Sequence, residues 1–118
     1  MIGKSMSKSK QKGTKFETAV VTYLSDCTTG QIERRTLSGS HDKGDVAGVF
    51  IDGLPIVVEC KACSRLSIPE WLREAATERD NANAAVGVVV AKRQGIGMAN
   101  MGQQLVIMTL DDFSKLID

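Results

Sequence analysis

Residues 44–61 read GDVAGVFIDGLPIVVECK, and the reading of this stretch decides the fold. Asp45 opens one apolar run, Glu59 and Lys61 close the next, and Asp52-Gly53 between them is a hairpin-turn signal. Both runs are rich in β-branched residues, which predicts two strands, roughly Asp45–Ile51 and Pro55–Cys60. Asp45, Glu59 and Lys61 are therefore charges inside segments that otherwise read Val, Ala, Phe, Ile and Cys. Burying a charge is costly unless something pairs with it, and a bound metal ion is one such partner.

Strand alternation sends Glu59 and Lys61 to one face and Cys60, with Val58, to the core. Whether Asp45 joins them depends on register. A plain two-residue Asp52-Gly53 turn sets Asp45 opposite Cys60, on the wrong face. A three-residue loop, Asp52 to Leu54, sets it opposite Lys61; that loop, or a bulge with the same effect, is expected. Two converging carboxylates make a hard-oxygen site for Mg²⁺ or Mn²⁺. A lysine beside them can position water and offset charge on a phosphate, which is the equipment for phosphodiester hydrolysis. The competing reading is a Glu–Lys pair on a solvated sheet face, with Asp45 capping a loop.

Outward from the hairpin, Phe16, Ala19, Val20, Tyr23 and Leu24 recur at helical spacing and predict a helix from Thr14 to about Cys27, with Thr14 and Glu17 as a capping box. Gln31–Leu37 reads as an edge strand, since Glu33, Arg34 and Arg35 are too polar for a central one. Residues 38–44, SGSHDKG, form a polar glycine loop where a backbone can approach a ligand. A second helix is expected from Ser67 to about Ala84, with Ser67 and Glu70 as a capping pair and Trp71, Leu72, Ala75, Ala76 and Arg79 on one face. Val86–Ala91 is the most apolar run and reads as a fully buried strand. Lys92–Gln103 is a loop expected to be mobile, Leu105–Met108 a last strand, and Thr109 the start of a short final helix. The order is α-β-β-β-α-β-β-α, an α/β mixed sheet flanked by helices.

The chain has 118 residues, 42% of them hydrophobic and 25% charged, enough for one domain with a real core. It has no apolar run of spanning length and no signal core, so no membrane association is expected. Three cysteines argue against a disulfide framework and for a reducing, cytoplasmic setting, the host cytoplasm if the source is viral. Net charge is only +1, yet Lys4, Lys8, Lys10, Lys12 and Lys15 all precede the first acid, Glu17. Residues 1–12 are read as a flexible basic arm that either neutralises phosphates or stays solvated, and 13–118 as the folded domain.

Several residues carry two readings. Cys60-x-x-Cys63 can be half a zinc site or a redox pair, but no second pair exists and His41 is the single histidine. Cys27 is assigned to the core, and Trp71 to the core or a dimer contact. His41 can touch a phosphate or shuttle a proton. Arg34, Arg35 and Lys43, and more distantly Lys92 and Arg93, are phosphate contacts or surface charges.

The element order and motif resemble the PD-(D/E)XK nuclease superfamily, and within it the archaeal-type Holliday junction resolvases. Their basic residue and glycine, followed four residues later by a glutamate, resemble Lys12-Gly13-Thr14-Lys15-Phe16-Glu17. Their serine-bearing glycine loop is similar to Ser38-Gly39-Ser40, and their Asp and Glu-x-Lys match Asp45 and Glu59-Cys60-Lys61. Gly44 stands where the name-giving proline would be, and the motif likeness covers residues 12–61.

The resemblance implies a restriction-endonuclease-like fold in which Asp45 and Glu59 bind Mg²⁺, or Mn²⁺. It gives Lys61 the attacking water and Glu17 a supporting role, and brings Ser38 or Ser40 to the scissile region. Lys12, Lys15, Arg34, Arg35, Ser38, His41 and Lys43 would contact DNA. It further implies a homodimer acting on four-way junctions in DNA recombination and repair. Alternatives are a nuclease of the same fold acting on duplex, flaps or ends, and a non-catalytic nucleic-acid-binding domain.

Overall fold

A computed structural model of the protein describes residues 7–35 and 42–117. Helix α1 spans Lys8–Cys27 and starts six residues before the expected Thr14. Its cap is Ser7, whose side chain accepts from Lys10 N at 3.1 Å, so the Thr14–Glu17 capping box does not form the helix start. Lys and Gln are good helix formers even where no apolar periodicity betrays them, and one interior glycine costs only ~1 kcal/mol. Residues 8–12, expected in a flexible arm, are thus the first turn of α1. Cys27, expected in the core, is exposed at the helix end.

The strands are β1 (Glu33–Arg34), β2 (Val46–Ala47), β3 (Phe50–Ile51), β4 (Leu54–Lys61), β5 (Val86–Ala91) and β6 (Leu105–Ile107). Among the described residues they form one mixed sheet in the order β1-β2-β4-β5-β6, with β3 paired to β4. The β4–β5 pair is parallel and the others antiparallel, a restriction-endonuclease-like arrangement. Polar β1 takes the sheet edge, and the expected single strand Asp45–Ile51 is two short ones broken at Gly48-Val49.

Alternation sorts the core into two layers. Phe16 and Val20 of α1 pack on Val46, Ile56, Val58, Val86 and Val88, with Cys60 against the same cluster. On the other face, α2 (Ile68–Asn81) sets Trp71 and Ala75 on Val89 and Ala91. Ser67 makes no side-chain cap bond, in contrast to its expected pairing with Glu70; Pro69 and the acid Glu70 favour the first turn instead. The helix stops at Asn81, short of Ala84, where Asn83 turns left-handed at φ 54°. The segment expected as a mobile loop contains a 3-10 helix, Met98–Gln103, whose Met98 and Met101 pack on the α1 cluster.

Helix α3 (Leu110–Ser114) is capped by Thr109, whose hydroxyl accepts from Asp112 N at 3.0 Å. Asp112 is buried and accepts from Gly87 N at 2.9 Å, Arg79 Nη1 at 3.0 Å and Lys115 Nζ at 3.0 Å. Burial works against its charge, but these donors hold its pKa below the ordinary value. One carboxylate so joins β5, α2 and α3. No helix among the described residues is long and apolar enough to cross a membrane.

Candidate active site

The hairpin turns in two residues, with Ile51 opposite Leu54 and Phe50 opposite Pro55; the expected three-residue loop is not used. Asp52 (φ 50°) and Gly53 (φ 79°) both adopt the left-handed backbone that a tight hairpin turn needs. The face is corrected further along by a bulge. Val46 pairs with Val58, so the β2–β3 side carries one residue more than β4 at Gly48-Val49. Gly48 has φ 92°, and a Cβ there would run into the carbonyl oxygen of Gln31. Carried one residue on, this register sets Asp45 beside Glu59 rather than Lys61, on the face shared by both. A bulge does the work the longer loop was expected to do, with a different partner.

Asp45 is held from several sides. Its N–H donates to Val58 O at 2.8 Å, its carbonyl accepts from Arg35 N at 2.8 Å, and its Oδ2 accepts from Cys60 N at 2.8 Å. Before it, Gly44 has φ 94°, which no proline can adopt, and a Cβ there would lie 2.9 Å from Val57 Cγ1. The departure from the proline pattern is thus required by the backbone. Asn81 Nδ2 of α2 also donates to Asp42 O at 2.8 Å and ties this loop to the helix end.

Glu59 and Lys61 face α2, and α2 answers with two acids that sequence reasoning missed. Lys61 Nζ lies 2.9 Å from Glu74 Oε2 and 3.6 Å from Glu59 Oε2. Glu78 is 3% exposed and Glu59 7% exposed. One carboxylate oxygen from each of Glu59, Glu74 and Glu78 lies within 4.8 Å of the others. The signal was present: Trp71, Ala75 and Glu78 form one buried helical stripe, and its last place belongs to an acid.

Burial, then the charges of Asp45 and Glu78, push the Glu59 carboxyl up to about 10. Burial likewise raises Glu78, to about 7, against the lowering pull of its hydrogen bond with Glu59 and with the charges of Asp42, Asp45 and Glu74 adding to the rise. Burial works to lower Lys61, but its hydrogen bond to Glu74 and the charges of Glu59 and Glu74 outweigh that, and its pKa is raised. The Lys61 ammonium is thus held against the carboxyl groups of Glu59 and Glu74. Burial raises the Cys60 thiol as well, opposite to an activated thiolate. Cys63 is exposed, and the ligand-type cluster among the described residues contains no cysteine.

Glu17, on α1, accepts from Arg34 Nε at 3.2 Å and Nη2 at 3.1 Å. Burial and then the charge of Asp45 raise its pKa against the pull of Arg34. Arg34 is therefore engaged with Glu17, while Arg35, Lys43 and Lys15 are exposed. Lys12, Lys92 and Arg93 line one cleft of about 240 Å³ together with Ala62, Cys63 and Ser64, the residues that follow Lys61. Ser38, Ser40 and His41 lie outside the described residues.

The donor set is all oxygen, and the Oε1 atoms of Glu59 and Glu78 are buried without a hydrogen-bond partner. Such atoms fit a hard divalent cation. A mixed sheet flanked by helices, with Asp45 carried to the face of Glu59 and Lys61, fits the PD-(D/E)XK class. The chain belongs to the family described as "Phage putative PDDEXK endonuclease", whose model matches residues 8–118, from the first residue of α1 onward. No curated protein and no solved structure matches it. Membership makes the protein a nuclease, with nucleic acid as its substrate class.

Proposed function

We propose that the protein is a divalent-metal-dependent, structure-specific DNA endonuclease of the Holliday junction resolvase type. The observation that carries this reading is the bulge at Gly48-Val49, which brings Asp45 to the face of Glu59 and Lys61. In this reading Asp45 and Glu59 hold Mg²⁺, with Mn²⁺ a substitute. When bound, the ion supplies Lewis acidity and lowers the pKa of water.

The chain's own residues do the rest. Lys61 orients the attacking water and offsets negative charge gathering on the phosphate. Glu17, steadied by Arg34, supports the site from α1. Ser38 or Ser40 contacts the scissile region, and His41 the neighbouring phosphate. Lys12, Lys15, Arg35 and Lys43 grip the backbone, joined by Lys92 and Arg93 from the cleft beside Lys61, and Arg34 contributes where Glu17 leaves it a donor.

A four-way junction needs two symmetric incisions, so the enzyme acts as a homodimer. Support comes from the open edge of β6 and α3, where Val106 is 63% exposed and Leu110 81%. Such an enzyme acts in DNA recombination or repair, in the cytoplasm, which is the host's if the source is viral.

The test is nicking of a synthetic four-way junction against matched duplex and flap DNA with Mg²⁺, for wild type and Asp45→Asn. Paired symmetric cuts on the junction alone, absent from the variant, are expected. Metal-dependent cutting of duplex or flap instead keeps the site and overturns the substrate. Tight binding without any cutting overturns the enzyme reading in favour of a binding domain.

A further inference from the structure

We propose that Glu59, Glu74 and Glu78 form a divalent-cation site between β4 and α2, separate from the one that Asp45 and Glu59 would hold and sharing Glu59 with it. The proposal deepens, and rests on, the reading of this face as a metal-dependent nuclease centre. Its first support is convergence: one oxygen from each of the three carboxylates lies within 4.8 Å of the others, and Asp45 is not in that group. Convergence of acids alone is common on protein surfaces. Here two of the three are not on the surface.

Glu59 and Glu78 are each more than nine-tenths buried; their side chains reach each other, and with both as carboxylates neither Oε1 has a donor. A buried carboxylate oxygen without a donor carries its full desolvation cost, which a fold rarely tolerates twice in one place. The neighbouring ammonium does not relieve it, because Lys61 Nζ is directed to Glu74 Oε2 and Glu59 Oε2. Oxygen donors of this kind select Mg²⁺ or Mn²⁺ over softer metals.

The placement is dictated by the sequence. Glu74 and Glu78 are four apart and share one side of α2, while Glu59 alternates to the β4 face that α2 covers. The site closes when α2 docks through Trp71 and Ala75, and Asp112 fixes that docking through Arg79.

The experiment is Mn²⁺ titration calorimetry of the DNA-free protein for wild type, Asp45→Asn, Glu74→Gln and Glu78→Gln. Anomalous scattering from crystals of the wild type with Mn²⁺ serves as a second measurement that no variant's folding can spoil. Wild type is expected to bind Mn²⁺ with an anomalous peak among Glu59, Glu74 and Glu78. Glu78→Gln and Glu74→Gln should each weaken an ion by ~10-fold or more. Asp45→Asn should keep that ion. An isotherm unchanged in both α2 variants, or a peak only beside Asp45, overturns the proposal while leaving the nuclease reading intact; the two Oε1 atoms would then share a proton. Absence of any Mn²⁺ binding overturns both.

Discussion

Lys61 Nζ stands 2.9 Å from Glu74 Oε2, so the lysine of the motif is aimed by a residue from a different element. In the proposed enzyme Glu74 would serve Lys61 as a positioning residue, since it accepts from the ammonium and its charge works to raise the lysine's pKa. Lys61→Ala should lower DNA cleavage by ~100-fold or more while junction binding, read by gel shift, stays within a few-fold. Glu74→Gln should leave Lys61 less well held and lower kcat by about 10-fold with little change in KM. A KM effect alone would show that Glu74 serves binding instead.

The metal-free protein should lose stability as pH rises. Glu59 and Glu78 have folded-state pKa values above their ordinary ones, so their contribution is fully present below about 4.5 and is lost as pH climbs through about 7 for Glu78 and about 10 for Glu59. Thermal melts in chelator should therefore show Tm falling from pH 5 to pH 8. Glu78→Gln should flatten that fall and stabilise the chelated protein at pH 8 by about 1–3 kcal/mol. A Tm that rises over this range would show the pair to be ionised and compensated without metal.

Gly48→Val tests the bulge. The position needs φ 92° and leaves no room for a Cβ against Gln31 O, so strain and collision act together. A loss of about 2–4 kcal/mol in denaturant unfolding is expected. Activity should fall further than stability explains, because Asp45 depends on this register. An active variant of unchanged stability would mean that the strand pairs in another way.

The β6 edge offers the dimer test. Val106→Lys places a charge on a strand edge already 63% exposed, so a monomer should tolerate it within about 0.5 kcal/mol. Sedimentation of wild type should give a dimer and the variant a monomer, with paired incisions replaced by single nicks. A dimer that persists in Val106→Lys would move the interface elsewhere.

Much of this was legible in the sequence because it depends on local pattern. The buried strand 86–91, the place of the hairpin at Asp52-Gly53 (though not its two-residue length), the polar edge strand and the inward Cys60 follow from composition and alternation alone. Phe16 and Val20, and Trp71 and Ala75, mark the two faces on which the helices dock. What escaped depends on contacts distant in sequence or on backbone detail. The start of α1 at Lys8 left no apolar trace, since its first turn is solvated. The bulge at Gly48 is one glycine among 11, distinguished only by the Gln31 carbonyl behind it. Glu74 and Glu78 look like ordinary helix-surface acids until α2 is laid over β4, and only the buried stripe ending in Glu78 distinguishes one of them.

The extra residue at Gly48 bears on how relatives of this chain are to be sought. A chain one residue shorter at that point would pair regularly through its Asp-Gly turn and still set its aspartate against the glutamate of Glu-x-Lys. The gap between the two halves of the motif is thus not a constant of this machinery. By this geometry a pattern search with fixed spacing would pass over a chain that reaches the same register without the bulge, and one that permits a single-residue length change would retain it.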